Sequence, residues 1–169
     1  RTAVIEIGVK EKAGRVHFEY TMRLESGLAL LVFLFLCTLL SPYPGWFDAG
    51  EFATAAHVLG VSHPTGHPLY LLLGKVLTMA PVGPIAFRVA ILSSLSAAFA
   101  AWFLAKLGQE LELGRFLRLG VAILFILFPS FALQATRVEV YAFHTALYFG
   151  IAYAQLRLIR SNDARWLAG

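Results

Sequence analysis

Charged side chains are missing from four long stretches of the chain: Ser26–Phe47, Val89–Ala105, Leu119–Thr136 and Val140–Leu156. A helix of roughly 17 to 22 residues is about 25 to 33 Å long, close to the thickness of a bilayer core. The pattern therefore predicts spanning helices at about 26–47, 89–105, 119–136 and 140–156. A fifth apolar stretch, Pro68–Pro81, is shorter, contains Lys75 and is bracketed by prolines. It predicts a helix lying at the interface over 68–81, with a second over 49–60. The expected fold is an all-α membrane protein, with about four transmembrane helices plus one or two juxtamembrane helices in the first outer loop.

Residues 1–21 are of another kind. Ala3–Val9 and Arg15–Tyr20 read as two short strand-like runs in a polar extension, with Met22 as a plausible start before the first apolar segment. Residues 22–169 read as the N-terminal part of a multi-pass domain. Leu28–Leu40 has the character of a signal-peptide core, yet no small-x-small cleavage site follows, which favours an uncleaved signal-anchor helix.

Composition agrees with the pattern. The chain of 169 residues is 59% hydrophobic and 14% charged, too little charge to coat a soluble globule. Its single cysteine, Cys37, excludes a disulfide scaffold. The net charge of +4 forms no basic face, so nucleic acid is not an expected partner.

Topology follows from where the cations fall. If Pro68–Pro81 does not cross, eleven of the fourteen Lys and Arg residues lie on one side, and only Lys75, Arg88 and Arg137 on the other. The positive-inside rule then places the N-terminus in the cytoplasm of a multi-pass protein, in a bacterial plasma membrane or the endoplasmic reticulum.

The outer side receives the unusual chemistry: Asp48, Glu51, His57, His63, His67, Lys75, Arg88, Arg137 and Glu139. Ionisable groups beside or within a membrane are costly and mark functional sites. Asp48 and Glu51 stand three apart at a helix start, a spacing that suits both a capping box and a catalytic pair of carboxylates. His57, His63 and His67 match no zinc signature, so no metal site is assigned to them. Arg137 and Glu139 sit in a short outer connection, where an ordinary interfacial pair is the plain alternative. Trp46, Phe47, Tyr70 and Tyr141 suit an interfacial aromatic belt.

Together these residues resemble a known family. Phe47-Asp48-Ala49-Gly50-Glu51-Phe52, then Gly60 through Tyr70 with His63-Pro64-Thr65-Gly66-His67-Pro68-Leu69-Tyr70, then Phe87-Arg88-Val89, resembles the domain-of-unknown-function family 2723. Its animal relatives are the transmembrane-protein-260 type protein O-mannosyltransferases, within the GT-C superfamily of membrane glycosyltransferases. Glu139-Val140-Tyr141 is similar to the family's Glu-Val-Tyr stretch. Thr65, His67 and Ala90 depart from the commoner family residues.

The resemblance implies the N-terminal third or less of an enzyme that moves a sugar, mannose among the candidates, from a polyprenyl-phosphate donor to an acceptor hydroxyl on a protein or glycan at the outer membrane face. It implies Asp48 as base, with Glu51 or Glu139 positioning the acceptor or holding an optional divalent metal ion. His63, His67, Tyr70, Lys75, Arg88 and Arg137 would bind substrate, the cations among them meeting the phosphate. A single displacement inverting the anomeric centre is implied. The rival class is a non-enzymatic membrane protein, either a transporter fragment, which Lys75 fits better, or a lipid-phosphate-binding subunit.

Overall fold

The structure is a computed structural model that describes residues 23–45 and 48–161; the polar extension 1–21 lies outside the described residues. All regular structure among them is helical: α1 (23–38), α2 (Ala49–Val58), α3 (Pro68–Thr78), α4 (Ile85–Glu110), α5 (Arg115–Leu127), α6 (Pro129–Ala135) and α7 (Tyr141–Ser161).

Local chemistry sets most of the boundaries. α2 ends where Leu59 turns left-handed (φ 55°) and the Gly60 N–H closes onto the Ala55 carbonyl at 2.9 Å. Pro68 occupies the first turn of α3, and Pro84 caps α4, so in each case the missing N–H falls where no intrahelical partner exists. Helices are expected over 49–60 and 68–81, and α2 and α3 fill those stretches to within three residues at each end.

The spans differ more. Among the described residues only α4 is by itself long and apolar enough to cross a membrane, and α5 with α6 passes the same test only as a bent pair, so one such helix is established, or two with that pair, of the four expected. Residues 119–136, expected as one helix, form two. Phe128 is extended ahead of Pro129, and α5 and α6 bend by 72° across the break. The first helix closes at residue 38, earlier than expected, because Pro42 and Pro44 follow. α7 has 21 residues but falls short of the same apolar standard, with histidine, threonine, glutamine and three tyrosines along it.

α4 is the axis of the bundle and packs against α2, α3, α5, α6 and α7. Most of its buried positions are small, among them Ala86, Ala90, Ser93, Ser94, Ser96, Ala97, Ala98, Ala100, Ala101 and Ala105, with Val89, Leu92 and Lys106 the larger ones. Small residues let backbones approach closely, the usual means of helix association where no water drives it. At Gly108 the approach is so tight that a Cβ would stand 2.7 Å from Arg118 Cβ in α5. Two apolar clusters result. One joins Phe52, Ala56, Tyr70, Leu71, Val89 and Val138 around the start of α4; the other joins Val32, Leu36, Ala101, Ala105, Ala122 and Ile126 around its later turns.

Charges gather at the two ends of α4. At its C-terminal end Glu25 of α1, fully buried, lies 2.6 Å from Lys106 Nζ and 3.3 Å from Arg118 Nη2, tying α1 to α4 and α5. Arg157 and Arg160 of α7 pair with Glu110 and Glu112 at the same end. Removing the shared acid leaves two cations in a closed site without their carboxylate, which costs about 3 to 5 kcal/mol in buried pairs. Glu25→Ala is therefore expected to lower the thermal midpoint of the purified full-length protein markedly; a midpoint within a degree of wild type would show that the triad carries no such weight.

Candidate active site

The opposite end of α4 holds the residues singled out by sequence. α2 begins just after Asp48, whose backbone is already helical and whose side chain makes no capping hydrogen bond. The capping reading of Asp48 and Glu51 thus gives way to another arrangement. Glu51 reaches the 60–67 loop: one carboxylate oxygen accepts from the His63 backbone N–H, and Oε2 lies 3.1 Å from His63 Nδ1. These bonds, the backbone one first and the ring second, hold the Glu51 carboxyl below its ordinary pKa. Asp48 makes no hydrogen bond from its carboxylate among the described residues; its side chain is 53% exposed, with Oδ2 3.9 Å from His63 Nε2.

Glu139 arrives from the connection between α6 and α7. Buried Ser93 of α4 fixes its backbone: the hydroxyl donates to the Glu139 carbonyl at 3.0 Å and lies 3.3 Å from the Glu139 N–H and from the Tyr70 phenol. Neighbouring Ser94 donates to the Ala135 carbonyl at 2.8 Å. The Glu139 residue is 4% exposed, and its carboxylate has no hydrogen bond or ion pair among the described residues. Burial, then the negative charge of Asp48, push its pKa up, against weaker pulls from Arg137 and His63. The charge of Asp48, 91 residues earlier in the sequence, thus reaches Glu139.

The other nominated residues divide into two groups. Arg137, half-buried, makes no hydrogen bond or ion pair among the described residues, and its charge acts on Glu139. His67 turns left-handed (φ 43°) and sets its ring against Phe52 and against His144 of α7, with centroids 5.5 and 5.2 Å apart. By contrast, Lys75 donates to the His57 carbonyl near the end of α2, which uses in the fold the one residue that fitted a transporter better. Arg88 donates to the carbonyls of Thr78, Val82 and Gly83 and so clamps the turn before α4. Tyr70 is in the core, its phenol pushed up in pKa by burial. His57 stays outside the carboxylate cluster.

His144 escaped the sequence reading. Its signal is weak: it lies five residues after Glu139, in the first turn of the following helix, inside a stretch read only as apolar.

With this geometry in view, comparison with known proteins is decisive on kinship. A family model described as the protein O-mannosyl-transferase TMEM260 N-terminal domain matches residues 48–168, from Asp48 through α7. The chain belongs to that family. Protein O-mannosyl-transferase TMEM260 of Mus musculus is 48% identical over 69 residues, covering 40% of this chain and 10% of the relative. The Dictyostelium discoideum protein O-mannosyl-transferase tmem260 is 27% identical over 159 residues, covering 84% of this chain and 19% of the relative. The chain thus spans between a tenth and a fifth of the curated relatives it matches. No solved structure matches it.

Glu139 makes a pH dependence. Its folded-state pKa is raised, so the fold retains a proton that the unfolded chain has already released. Stability contributed by the protonated form is present below the ordinary carboxylate range and is lost as pH rises through the raised value. Glu139→Gln is expected to match wild type in acid and to exceed it in thermal midpoint at neutral pH, measured on the full-length protein in EDTA. A variant less stable than wild type at neutral pH would contradict the assignment.

Proposed function

We propose that this chain supplies part of the active site of a multi-pass membrane glycosyltransferase, which moves mannose from a polyprenyl-phosphate donor to an acceptor hydroxyl on a protein or glycan. The observation that carries the reading is the exposed carboxylate of Asp48, standing beside the Glu51–His63 pair and within the electrostatic reach of buried Glu139. Family membership and the names of the relatives support the reaction class. The concentration of Lys106, Arg115, Arg118, Arg157 and Arg160 at the far end of the bundle supports a cytoplasmic location for that end and an outer location for the site.

In this reading the acceptor oxygen attacks the anomeric carbon while its proton passes to Asp48. The bond from that carbon to the phosphate oxygen breaks, and the phosphate leaves with the electron pair. One displacement inverts the centre. Positive charge spreads over the sugar ring as negative charge grows on the phosphate, so a cation near the leaving group lowers the barrier. Arg137 is the cation for that role, because Lys75 and Arg88 spend their donors on backbone carbonyls. Glu51 holds the His63 loop, and His67 with His144 lines the site above Phe52.

Two substitutions test the assignment in the full-length enzyme, assayed with radiolabelled polyprenyl-phosphate mannose. Asp48→Asn is nearly isosteric and removes no cap, so folding should be unchanged while transfer falls by about 10² to 10⁴-fold, the usual worth of a positioned base. Transfer retained at wild-type rate would remove Asp48 from the chemistry. Arg137→Ala should cost about 1.5 to 3 kcal/mol of transition-state stabilisation, the range of hydrogen bonds to charged groups, with partial recovery in Arg137→Lys. Unchanged kcat/KM in Arg137→Ala would exclude that residue from phosphate recognition.

A further inference from the structure

Five aromatic rings close a circuit at the N-terminal end of α4. Phe52 meets His67 with ring centroids 5.5 Å apart, His67 meets His144 at 5.2 Å, and His144 meets Phe143 at 6.3 Å. Phe143 then meets Tyr70 at 5.9 Å, and Tyr70 returns to Phe52 at 5.8 Å. All five separations lie in the range that paired rings prefer. Phe52 and Tyr70 are the buried members, whereas His67 and His144 keep part of their surface open. We infer that His144 is a positioning residue: its ring, carried by α7, holds the His67 imidazole in the site, where it meets the sugar of the donor. The inference deepens the transfer reading and rests on it for the identity of the substrate.

His67 does not keep this place unaided. Its backbone is left-handed (φ 43°, ψ 50°), a region that few residues other than glycine adopt and that a following proline disfavours further. Such a conformation persists only where its surroundings impose it, and it gathers at sites of function. The main chain on either side is tied down. The Gly66 N–H donates to the His63 carbonyl at 2.8 Å, the Ser62 hydroxyl to the Gly66 carbonyl at 3.1 Å, and the Leu71 N–H to the His67 carbonyl at 3.1 Å. These bonds fix the backbone and leave the ring to its neighbours. Phe52 is one of them. The other, His144, stands in the first turn of α7, which packs along α4, and its own N–H donates to the Val140 carbonyl at 2.9 Å.

Neither the His67 nor the His144 ring makes a hydrogen bond or ion pair among the described residues. Their contact is one of packing, and the ring nitrogens of His67 are left for a ligand. Burial, then the neighbouring His144 and His63, hold the His67 imidazole below its ordinary pKa, so it is uncharged near neutral pH. A neutral imidazole gives one hydrogen bond and takes one, which matches a sugar hydroxyl. His63, in the same loop, is placed differently: Glu51 binds both its backbone N–H and its ring. Loss of the His144 ring therefore releases His67 and leaves His63 where it is.

The test combines two measurements on detergent-purified full-length protein. Carbethoxylation of each histidine by diethyl pyrocarbonate is followed by mass spectrometry, and steady-state transfer is followed with radiolabelled polyprenyl-phosphate mannose. In His144→Ala the His67 ring is expected to react severalfold faster than in wild type, while His63 keeps its rate. The KM for the donor should rise roughly three- to tenfold, the worth of a lost ring pair, with kcat unchanged. His144→Phe, which keeps a ring at that position, should restore most of both. Thermal midpoints identify a variant that has not folded; His144→Gln, nearer in bulk and also without a ring, then takes the place of alanine. In His67→Ala/His144→Ala the KM should be no higher than in His67→Ala alone, because His144 acts through His67. An unchanged His67 rate in the folded ringless variant, an unchanged KM, or additive effects in the double variant overturns the inference. The labelling contains no substrate, so its failure leaves the transfer reading standing. Retained transfer in Asp48→Asn removes that reading and leaves the labelling result untouched.

Discussion

The hydroxyl of Ser93 donates to the Glu139 carbonyl and can accept from both the Glu139 N–H and the Tyr70 phenol, so α3, α4 and the segment before α7 meet at one buried atom. A hydroxyl has one proton to give and two lone pairs to receive, and these three contacts match that capacity. The match pairs both backbone groups of Glu139 in a non-helical turn inside the bundle, where leaving them unpaired would be costly. It also decides where Glu139 is. The carboxylate is held by its own backbone, anchored to the helix that organises the rest of the fold, and not by a partner for its charge.

α4 makes this possible because its buried face is built mostly from alanine and serine. Larger side chains would keep the 135–140 segment too far away for a serine hydroxyl to reach its backbone. The same closeness at the other end brings Glu25 between Lys106 and Arg118, where the α4–α5 crossing leaves no room for a Cβ at Gly108. One helix thus carries two polar nodes of opposite kind. The closed node at its C-terminal end satisfies its charges internally. The open node at its N-terminal end leaves Glu139 and Arg137 without hydrogen bonds or ion pairs from their side chains among the described residues, and Asp48 with only a long contact to His63. Unspent charge is a cost to the fold, and its concentration at one end separates the proposed site from the part of the molecule that holds it together.

What the sequence disclosed follows from how local each cause is. Helices α2 and α3 were legible because proline, glycine and the change from polar to apolar residues act within a few positions. The break at Phe128–Pro129 lay in plain sight, but an apolar run long enough to span hides it when charge is the only criterion. Asp48 and Glu51 were legible as a pair at a helix start; that Glu51 would turn to His63 was not, since the capping spacing and the loop contact use the same residues. Lys75 and Arg88 looked available for phosphate because their bonds go to backbone carbonyls, which no side-chain pattern records. Ser93 and Glu25 were invisible for a related reason: each owes its role to partners more than twenty residues away.

Three acids in one site have been given three environments, and the differences bear on their roles more than their shared chemistry does. Glu51 has both oxygens engaged by His63 and its pKa lowered, so it stays ionised and holds the loop. Glu139 is desolvated beside another acid and takes a proton more readily, which makes its charge sensitive to any cation that enters. Asp48 differs from both, open to solvent and with oxygens that no capping bond restrains. In the proposed transfer the base must be reachable and not held by the fold, and of the three Asp48 fits that description best. Had Asp48 capped α2 as its spacing allows, its oxygens would have been directed at backbone N–H groups. The helical backbone at Asp48 prevents that, and it is this local departure from an ordinary helix start that keeps the carboxylate available.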